Sequence, residues 1–345
     1  MPRRPSRRRR ARTRWNGAGP LNFLEHEKLF TEKAGVYKAG PYPVWTLHAL
    51  GGYYGNATVI EGKDGLIVYD TGVCLEHGKL IAEEIRKISK KPIKAIVYSH
   101  HHGDHYSGTA ALVSPADVKA GKVKIYAWEN FEKEKTGEFD VIANRQVMGL
   151  IYYSGAALPP EDRHFHGCCG LKFAGSSGYL PPTGTFSKDT DLKISGVRVR
   201  VFYTGGEAIS EFALHVPDFD MVVAADEFFY SLANLHSIRG SRPRLPENYL
   251  KALDRVRALN PEWLLGSHLM PIQGKGQIQR YVPVSRDAPS STSGIKASGT
   301  STRAIPRASC SRGFRACPST SRCRPTQPKC TAPRTRPCPS STRGG

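Results

Sequence analysis

Residues 93–108 read IKAIVYSHHHGDHYSG: an apolar, β-branched run ending in four of the chain's twelve histidines, with an aspartate set among them. Such a run reads as a buried strand that hands the chain straight into a polar cluster. Alternate side chains of an extended segment point the same way, so His100 and His102 can reach one ion. Asp104 and His105, after the turn that Gly103 allows, can reach another, and His101 is left as a spacer. Imidazole and carboxylate are ligands that zinc accepts, and a two-metal site needs both close together. A surface histidine patch or an expression tag would not sit inside the chain directly behind a buried strand.

Outward from this segment the pattern is α/β. Upstream, NATVI (56–60) and LIVYD (66–70) flank the turn EGKDG and read as a hairpin. HGKLIAEEIRKISKK (77–91) has helical spacing, with Leu80, Ile81, Ile85 and Ile88 on one stripe and basic residues at its end. Downstream, KVKIYAW (122–128) is a strand, and residues 130–185 are irregular and rich in Gly and Pro. DLKIS and VRVRVFYT then pair across a glycine turn, and FALHV and MVVAADE flank PDFD. NYLKALDRVRAL (248–259) reads as an amphipathic helix and EWLLGSH as a strand ending in His268. Two blocks of strands with helices between them predict a two-sheet α/β layering.

The formal charge of +20 points first toward nucleic acid, but it belongs to the ends. Residues 1–16 hold eight arginines and no acid, and residues 281–345 hold twelve Lys/Arg against Asp287. Residues 17–280 are therefore near neutral and offer no basic groove, so no specific nucleic-acid partner is expected. No apolar run of signal-peptide or membrane-spanning type follows the basic arm. Five of the eight cysteines lie in the tail without a Cys-x-x-Cys pair, leaving Cys74, Cys168 and Cys169 in the body. That usage favours a reducing, cytoplasmic compartment. Three segments are expected: a basic disordered arm (1–16), a catalytic body (17–280), and a low-complexity Arg/Ser/Pro/Cys tail (281–345) that cannot bury enough apolar surface to fold, or that is a frame-shifted reading of a GC-rich gene.

The signature H-x-H-x-D-H at the end of a strand resembles the metallo-β-lactamase superfamily, over roughly residues 20–280. The resemblance implies an αββα sandwich with metals at the edge between the sheets, and it assigns Asp70 of YDTG (69–72) a supporting role behind the metal loop. Within the superfamily the chain is similar to the alkyl/aryl-sulfatases, zinc enzymes that hydrolyse sulfate esters. That branch carries a glutamate ligand in the context matched by GEAISE, which implies Glu207. It carries a bridging acid nineteen residues on, which falls on Asp226 with Glu227 adjacent. N-x-x-x-x-R-G is matched by Asn234, Arg239 and Gly240, and S-H-x-x-P by SHLMP with His268.

The implied site has His100, His102 and Glu207 on one zinc, Asp104, His105 and His268 on the other, and Asp226 between them. A water activated by the two zincs and held by Asp226 would be the nucleophile. Arg239 would supply an always-charged planar fork for the sulfate oxygens, with Asn234, Asn144 and Tyr152 beside it. The segment NRQVMGLIYYSG (144–155) keeps Asn144, Tyr152 and Gly155 but has Met148 and Gly149 where the branch has paired arginines. HFHGCCG (164–170) matches no family position and reads as structural. The tail stands where the family continues into a dimerisation region and a sterol-carrier-like domain, which puts the family's homodimer in doubt. The expected activity is hydrolysis of a small-molecule alkyl or aryl sulfate ester. The alternatives are a hydrolase of the same fold acting on a lactone, thioester or β-lactam, and an inactive homologue whose basic tails bind polyanions.

Overall fold

A computed structural model describes residues 34–137, 175–228 and 244–292. Seven strands form the first sheet in chain order: β1 (Gly35–Lys38), β2 (Val44–His48), β3 (Asn56–Glu61), β4 (Leu66–Tyr69), β5 (Ile93–Val97), β6 (Lys124–Trp128) and β7 (Gly184–Phe186). β1 to β4 pair antiparallel, and β4 to β7 pair parallel. The second sheet holds β8 (Thr190–Ile194), β9 (Val197–Tyr203), β10 (Phe212–Val216), β11 (Met221–Val223), β12 (Trp263–Leu265) and β13 (Ile272–Gln273), ordered β13-β12-β11-β10-β9-β8. Its pairs are antiparallel except β11 with β12. Helix α1 (Leu75–Ile88) makes the crossover between parallel β4 and β5. α2 (Pro246–Leu259) precedes β12, and α3 (Lys275–Thr292) follows β13.

The period-two alternation of strand side chains sorts the apolar residues into three layers. Ile67, Tyr69, Ala95 and Val97 face Val199, Val201, Leu214 and Val223 in the core between the sheets. Leu66, Val68 and Ile96, one residue out of phase, pack with Ile81 and Ile85 of α1 on the outer face of the first sheet. Phe202, Ala213, Val222 and Leu264 do the same on the second, against Tyr249, Leu253 and Val256 of α2 and Ile278 and Val282 of α3. The result is the expected αββα sandwich. Register in β9 is enforced by polarity: Val197, Val199 and Val201 are buried while Arg198 and Arg200 are exposed. A one-residue slip would turn both guanidiniums into the core.

The predicted hairpin forms with Thr58 opposite Tyr69 and Glu61 opposite Leu66, closed by Gly62 N–H donating to the Gly65 carbonyl at 2.8 Å. Helix α1 buries Ile81 and Ile85 as its spacing predicts, and Cys74 serves as its N-cap, with Sγ accepting from His77 N–H at 3.4 Å. Two strands are shorter than their sequences suggest. β11 stops at Val223, because Ala225 takes φ 50° and turns the chain out of the sheet before Asp226. β12 likewise stops at Leu265, three residues short of His268. α3 runs through residue 280 and buries Tyr281 and Val282, while Arg286 clasps both oxygens of Asp254 in α2 at 2.6 and 2.9 Å.

Candidate metal centre

Each described candidate lies just beyond the C-terminal end of a strand. Asp70 follows β4, His100 to His105 follow β5, Glu207 follows β9, Asp226 follows β11 and His268 follows β12. Carboxyl ends of such strands are where open α/β sheets place their sites. Here the two sheets contribute from opposite sides of one seam.

After β5 the chain bends at His100 and His101, is extended again at His102 (φ −76°, ψ 140°) and then enters a single helical turn, Gly103–Tyr106. His100 and His102 converge across this bend, with His100 Nε2 and His102 Nδ1 2.9 Å apart. Glu207 Oε2 lies 3.5 Å from the first nitrogen and 3.1 Å from the second. The helical turn redirects Asp104 and His105 to a second cluster with His268. Asp104 Oδ2 is 3.3 Å from His105 Nε2 and 3.4 Å from His268 Nε2. Asp226 Oδ2 approaches the same two nitrogens at 3.5 and 3.1 Å. His100, His105 and Asp226 also bring ligand atoms together, so Asp226 stands between the clusters. Glu227 turns away, accepting from Gly206 N–H at 2.7 Å, which leaves Asp226 as the acid that faces the histidines.

His101 is buried and does not join either group. Its backbone N–H donates to Ser210 Oγ at 3.1 Å, and the same hydroxyl lies 2.7 Å from His101 Nδ1. The expected spacer thus ties the β5 loop to the loop that carries Glu207.

Asp70 organises the first cluster and the second at once. Its Oδ1 accepts from Ser99 N–H at 2.8 Å, and Oδ2 accepts from Ser99 Oγ (2.9 Å), Ser267 Oγ (2.6 Å) and His105 Nδ1 (2.9 Å). With its proton on Nδ1, His105 turns a bare Nε2 toward Asp104 and Asp226. Because Ser99 gives its hydroxyl proton to Asp70, it can only accept from His100 Nδ1, 2.9 Å away. His100 therefore also presents a lone pair at Nε2. Asp70 takes φ 61°, a conformation asparagine and aspartate tolerate better than other side chains.

Burial and charge decide which of these nitrogens keep a proton while no cation is bound. Burial, with His105 and His102 nearby, holds His100 well below the usual histidine range. Burial would also lower His105 and His268, but the surrounding carboxylates outweigh it: Asp104, Asp226 and Asp70 hold His105 well above its usual value, and Asp226 and Asp104 bring His268 to about 9. Burial would raise Asp104 and Asp226, yet His105 and His268 hold both well below the usual carboxylate range. The same field that draws protons to these imidazoles draws a divalent cation, so metal uptake displaces protons. The donor set fits such an ion on a further count. His105 Nε2, Glu207 Oε2 and Asp226 Oδ1 are buried and make no hydrogen bond, a costly arrangement unless something else satisfies them.

Two supporting residues escaped the sequence reading. Asn56 at the start of β3 donates to the carbonyls of Gly266 (3.0 Å) and Leu269 (2.7 Å), while its Oδ1 faces His48 Nδ1 at 2.7 Å. It pins both sides of the turn that presents His268. Arg244 forms an ion pair with Glu207 Oε1. After burial, which would raise it, Arg244 and His102 are what keep the Glu207 carboxyl below its usual value. Asn56 acts across more than 200 residues, so no local pattern marks it; Arg244 could be suspected only as one more arginine after Arg239. Asn144, Tyr152, Asn234 and Arg239 lie outside the described residues, as does HFHGCCG. Among the described residues no helix is long and apolar enough to cross a membrane.

Two facing sheets gather imidazole and carboxylate groups that could hold a metal at one seam. The chain belongs to the metallo-beta-lactamase superfamily, whose model matches residues 50–268 and so ends on His268. It is similar to a linear primary-alkylsulfatase of Pseudomonas sp., with 34% identity over 233 residues, covering 67% of this chain and 44% of that protein. It is 29% identical over 245 residues to the alkyl/aryl-sulfatase BDS1 of Saccharomyces cerevisiae, covering 67% of this chain and 37% of the relative. Among solved structures, the stereoselective inverting sec-alkylsulfatase Pisa1 from Pseudomonas sp. superposes with a TM-score of 0.69 and 26% identity, over 77% of this chain and 43% of that one. The chain thus spans less than half the length of these relatives.

Proposed function

We propose that this chain is a metal-dependent hydrolase of alkyl or aryl sulfate esters. In this reading His100, His102 and Glu207 would hold one zinc, Asp104, His105 and His268 would hold a second, and Asp226 would serve both. The observation that carries the reading is the convergence of Glu207 with His100 and His102, a carboxylate completing a pair of imidazoles, in a chain whose curated relatives are named alkylsulfatases. When bound, the ions supply Lewis-acid polarisation of the ester and activation of the attacking water.

The chain's own residues supply order. Asp70 fixes which nitrogen of His100 and of His105 is bare. Arg244 holds one oxygen of Glu207 and leaves the other toward the histidines. Asp226 faces both clusters and is the group placed to orient the attacking water. Arg239, Asn234, Asn144 and Tyr152 are the proposed grip on the sulfate oxygens, where a planar cation matches a tetrahedral oxyanion.

The test is release of inorganic sulfate from dodecyl sulfate by the full chain loaded with zinc, beside a lactone and a β-lactam. Sulfate release is expected, with about two zinc per chain falling to about one in His102→Ala. Turnover of only the lactone or the β-lactam would overturn the substrate class. A metal-free chain that binds DNA with a steep salt dependence would overturn the enzyme reading altogether.

A further inference from the structure

Behind the two clusters lies a second layer of acid. Glu211 and Glu227 are fully buried, and their carboxyl groups face one another. Neither points at the histidines. Both instead receive backbone N–H groups from the turns that carry Glu207 and Asp226.

Glu211 does this with both oxygens, and in two directions. Oε2 accepts from the backbone N–H of Glu207 at 3.1 Å and of Ala208 at 3.2 Å. Oε1 accepts from the N–H of Asp226 at 2.7 Å. Glu227 serves only one of the two turns, through Oε1, which accepts from Gly206 at 2.7 Å and Glu207 at 3.4 Å. The chain has made room for this layer. A Cβ on Gly206 would lie 2.4 Å from Glu227 Oε2 and 2.6 Å from Tyr249 Cα, so only glycine fits there. The loop also closes on the main chain of Glu211, whose carbonyl accepts from Thr204 N–H at 3.1 Å and Gly205 N–H at 3.0 Å.

We propose that Glu211 is a positioning residue whose carboxylate, spanning the two turns, sets the distance between Glu207 and Asp226. This rests on the reading of those two residues as metal ligands. A carboxylate is required because each turn needs an acceptor, and an amide offers only one acceptor oxygen. The arrangement has a cost: Glu207, Glu211, Asp226 and Glu227 gather four acidic side chains in one buried place. Burial and the neighbouring Glu227, Glu207 and Asp226 push the Glu211 carboxyl well above its usual value, so the set is costly to hold fully charged.

Zinc affinity measured beside metal-free stability separates positioning from a simple structural role. Glu211→Gln removes one acidic group from the buried set while leaving its volume unchanged. Its amide must turn an N–H₂ toward one of the two turns, so the metal-free variant melts at or somewhat below the wild-type temperature, a shift measured separately. Its zinc affinity, measured by competition with a chromophoric chelator, falls about tenfold or more, in the range of other losses behind a metal ligand. The visible spectrum of the cobalt-loaded variant shifts as the ligand geometry relaxes. Wild-type affinity with an unchanged cobalt spectrum would overturn the proposal, and so would a weaker affinity that merely tracks a lower metal-free melting temperature. Glu211→Asp carries the same test should Glu211→Gln fail to fold: it keeps both acceptor oxygens but draws them back by one methylene, so affinity falls again, and full affinity refutes the proposal. A wild-type chain that takes up no metal would sink the metal reading itself, and this proposal with it.

Discussion

Replacing Asp70 with asparagine tests the most connected hydrogen-bond acceptor of the site. The backbone permits it, since asparagine accepts the φ of 61° found at this position. The side chain does not. Four donors converge on the Asp70 carboxylate: the N–H and hydroxyl of Ser99, the hydroxyl of Ser267 and Nδ1 of His105. An amide must turn its own N–H₂ toward some of them, whichever way it is flipped. If it faces His105 and the hydroxyls, His105 loses the reason to carry its proton on Nδ1, and Ser99 loses the reason to accept from His100. Each charge-assisted bond of this kind contributes roughly 1.5–3 kcal/mol, and part of that returns because one buried charge is gone. What remains falls on two ligand tautomers, one in each cluster. Loss of a partner behind a metal ligand typically weakens metal binding 10- to 100-fold, about 1.4–2.7 kcal/mol, and two affected ligands place the expectation toward the upper end. The assay is zinc competition against a chromophoric chelator at neutral pH, with the metal-free melting temperature measured alongside. Affinity within about threefold of wild type, against the loss expected here, would refute the tautomer argument.

Other perturbations probe the supports. Asn56→Ala leaves the carbonyls of Gly266 and Leu269 and the ring of His48 without their present partner. It is expected to cost roughly 2–4 kcal/mol of stability in chemical denaturation and to weaken metal binding through His268. An unchanged denaturation midpoint would show that the turn holds itself. His77, stacked on Tyr53 and far from the clusters in the chain, is pushed down to about 4 by burial. A depressed folded pKa means the unfolded chain binds the extra proton, so stability is whole above about 6.5 and is lost as pH falls toward 4. Some 3 kcal/mol should disappear across that window at roughly 1.4 kcal/mol per unit, and His77→Asn should flatten the slope. An equally steep acid limb in the variant would move the effect elsewhere. Gly108→Ala would place a Cβ 2.0 Å from the Thr71 carbonyl and crowd Gly78 behind the helical turn that bears Asp104 and His105. Poor soluble expression is expected, and a variant that folds with wild-type melting behaviour would contradict the packing described.

The sandwich was legible wherever burial leaves a periodic trace. β5 is an apolar run interrupted only by Lys94, β9 alternates valine with arginine, and α1 repeats Ile81 and Ile85 at one turn. The histidine cluster could be divided at Gly103, where the chain leaving β5 gives way to a helical turn, although the bend at His100 and His101 left no mark in the sequence. The ends of the strands were not legible. A left-handed residue such as Ala225 has no composition signal, and it is what brings Asp226 out of line with β11. β1 and β2 went unnoticed because they are four and five residues long, with Pro41 and Pro43 between them. Ser, Thr and Pro near residue 284 disguised the far half of α3, whose place depends on α2 rather than on propensity. Asn56 acts through backbone groups more than 200 residues away and Glu211 reaches the Asp226 turn from its own loop, and such partners are created only by the tertiary fold.

The seam between the sheets has a bearing on how the protein could be taken apart. Asp70 and the histidines of the β5 loop come from the first seven strands, while Glu207, Asp226 and His268 come from the last six. On the proposed ligand assignment, neither half would own a complete set. Cutting the chain between β7 and β8 would give two fragments, each with a few orphan ligands, and tight metal uptake would return only when the pieces found each other. Metal affinity would then act as a clasp whose closing reports, from within the molecule, that the two halves have met in register.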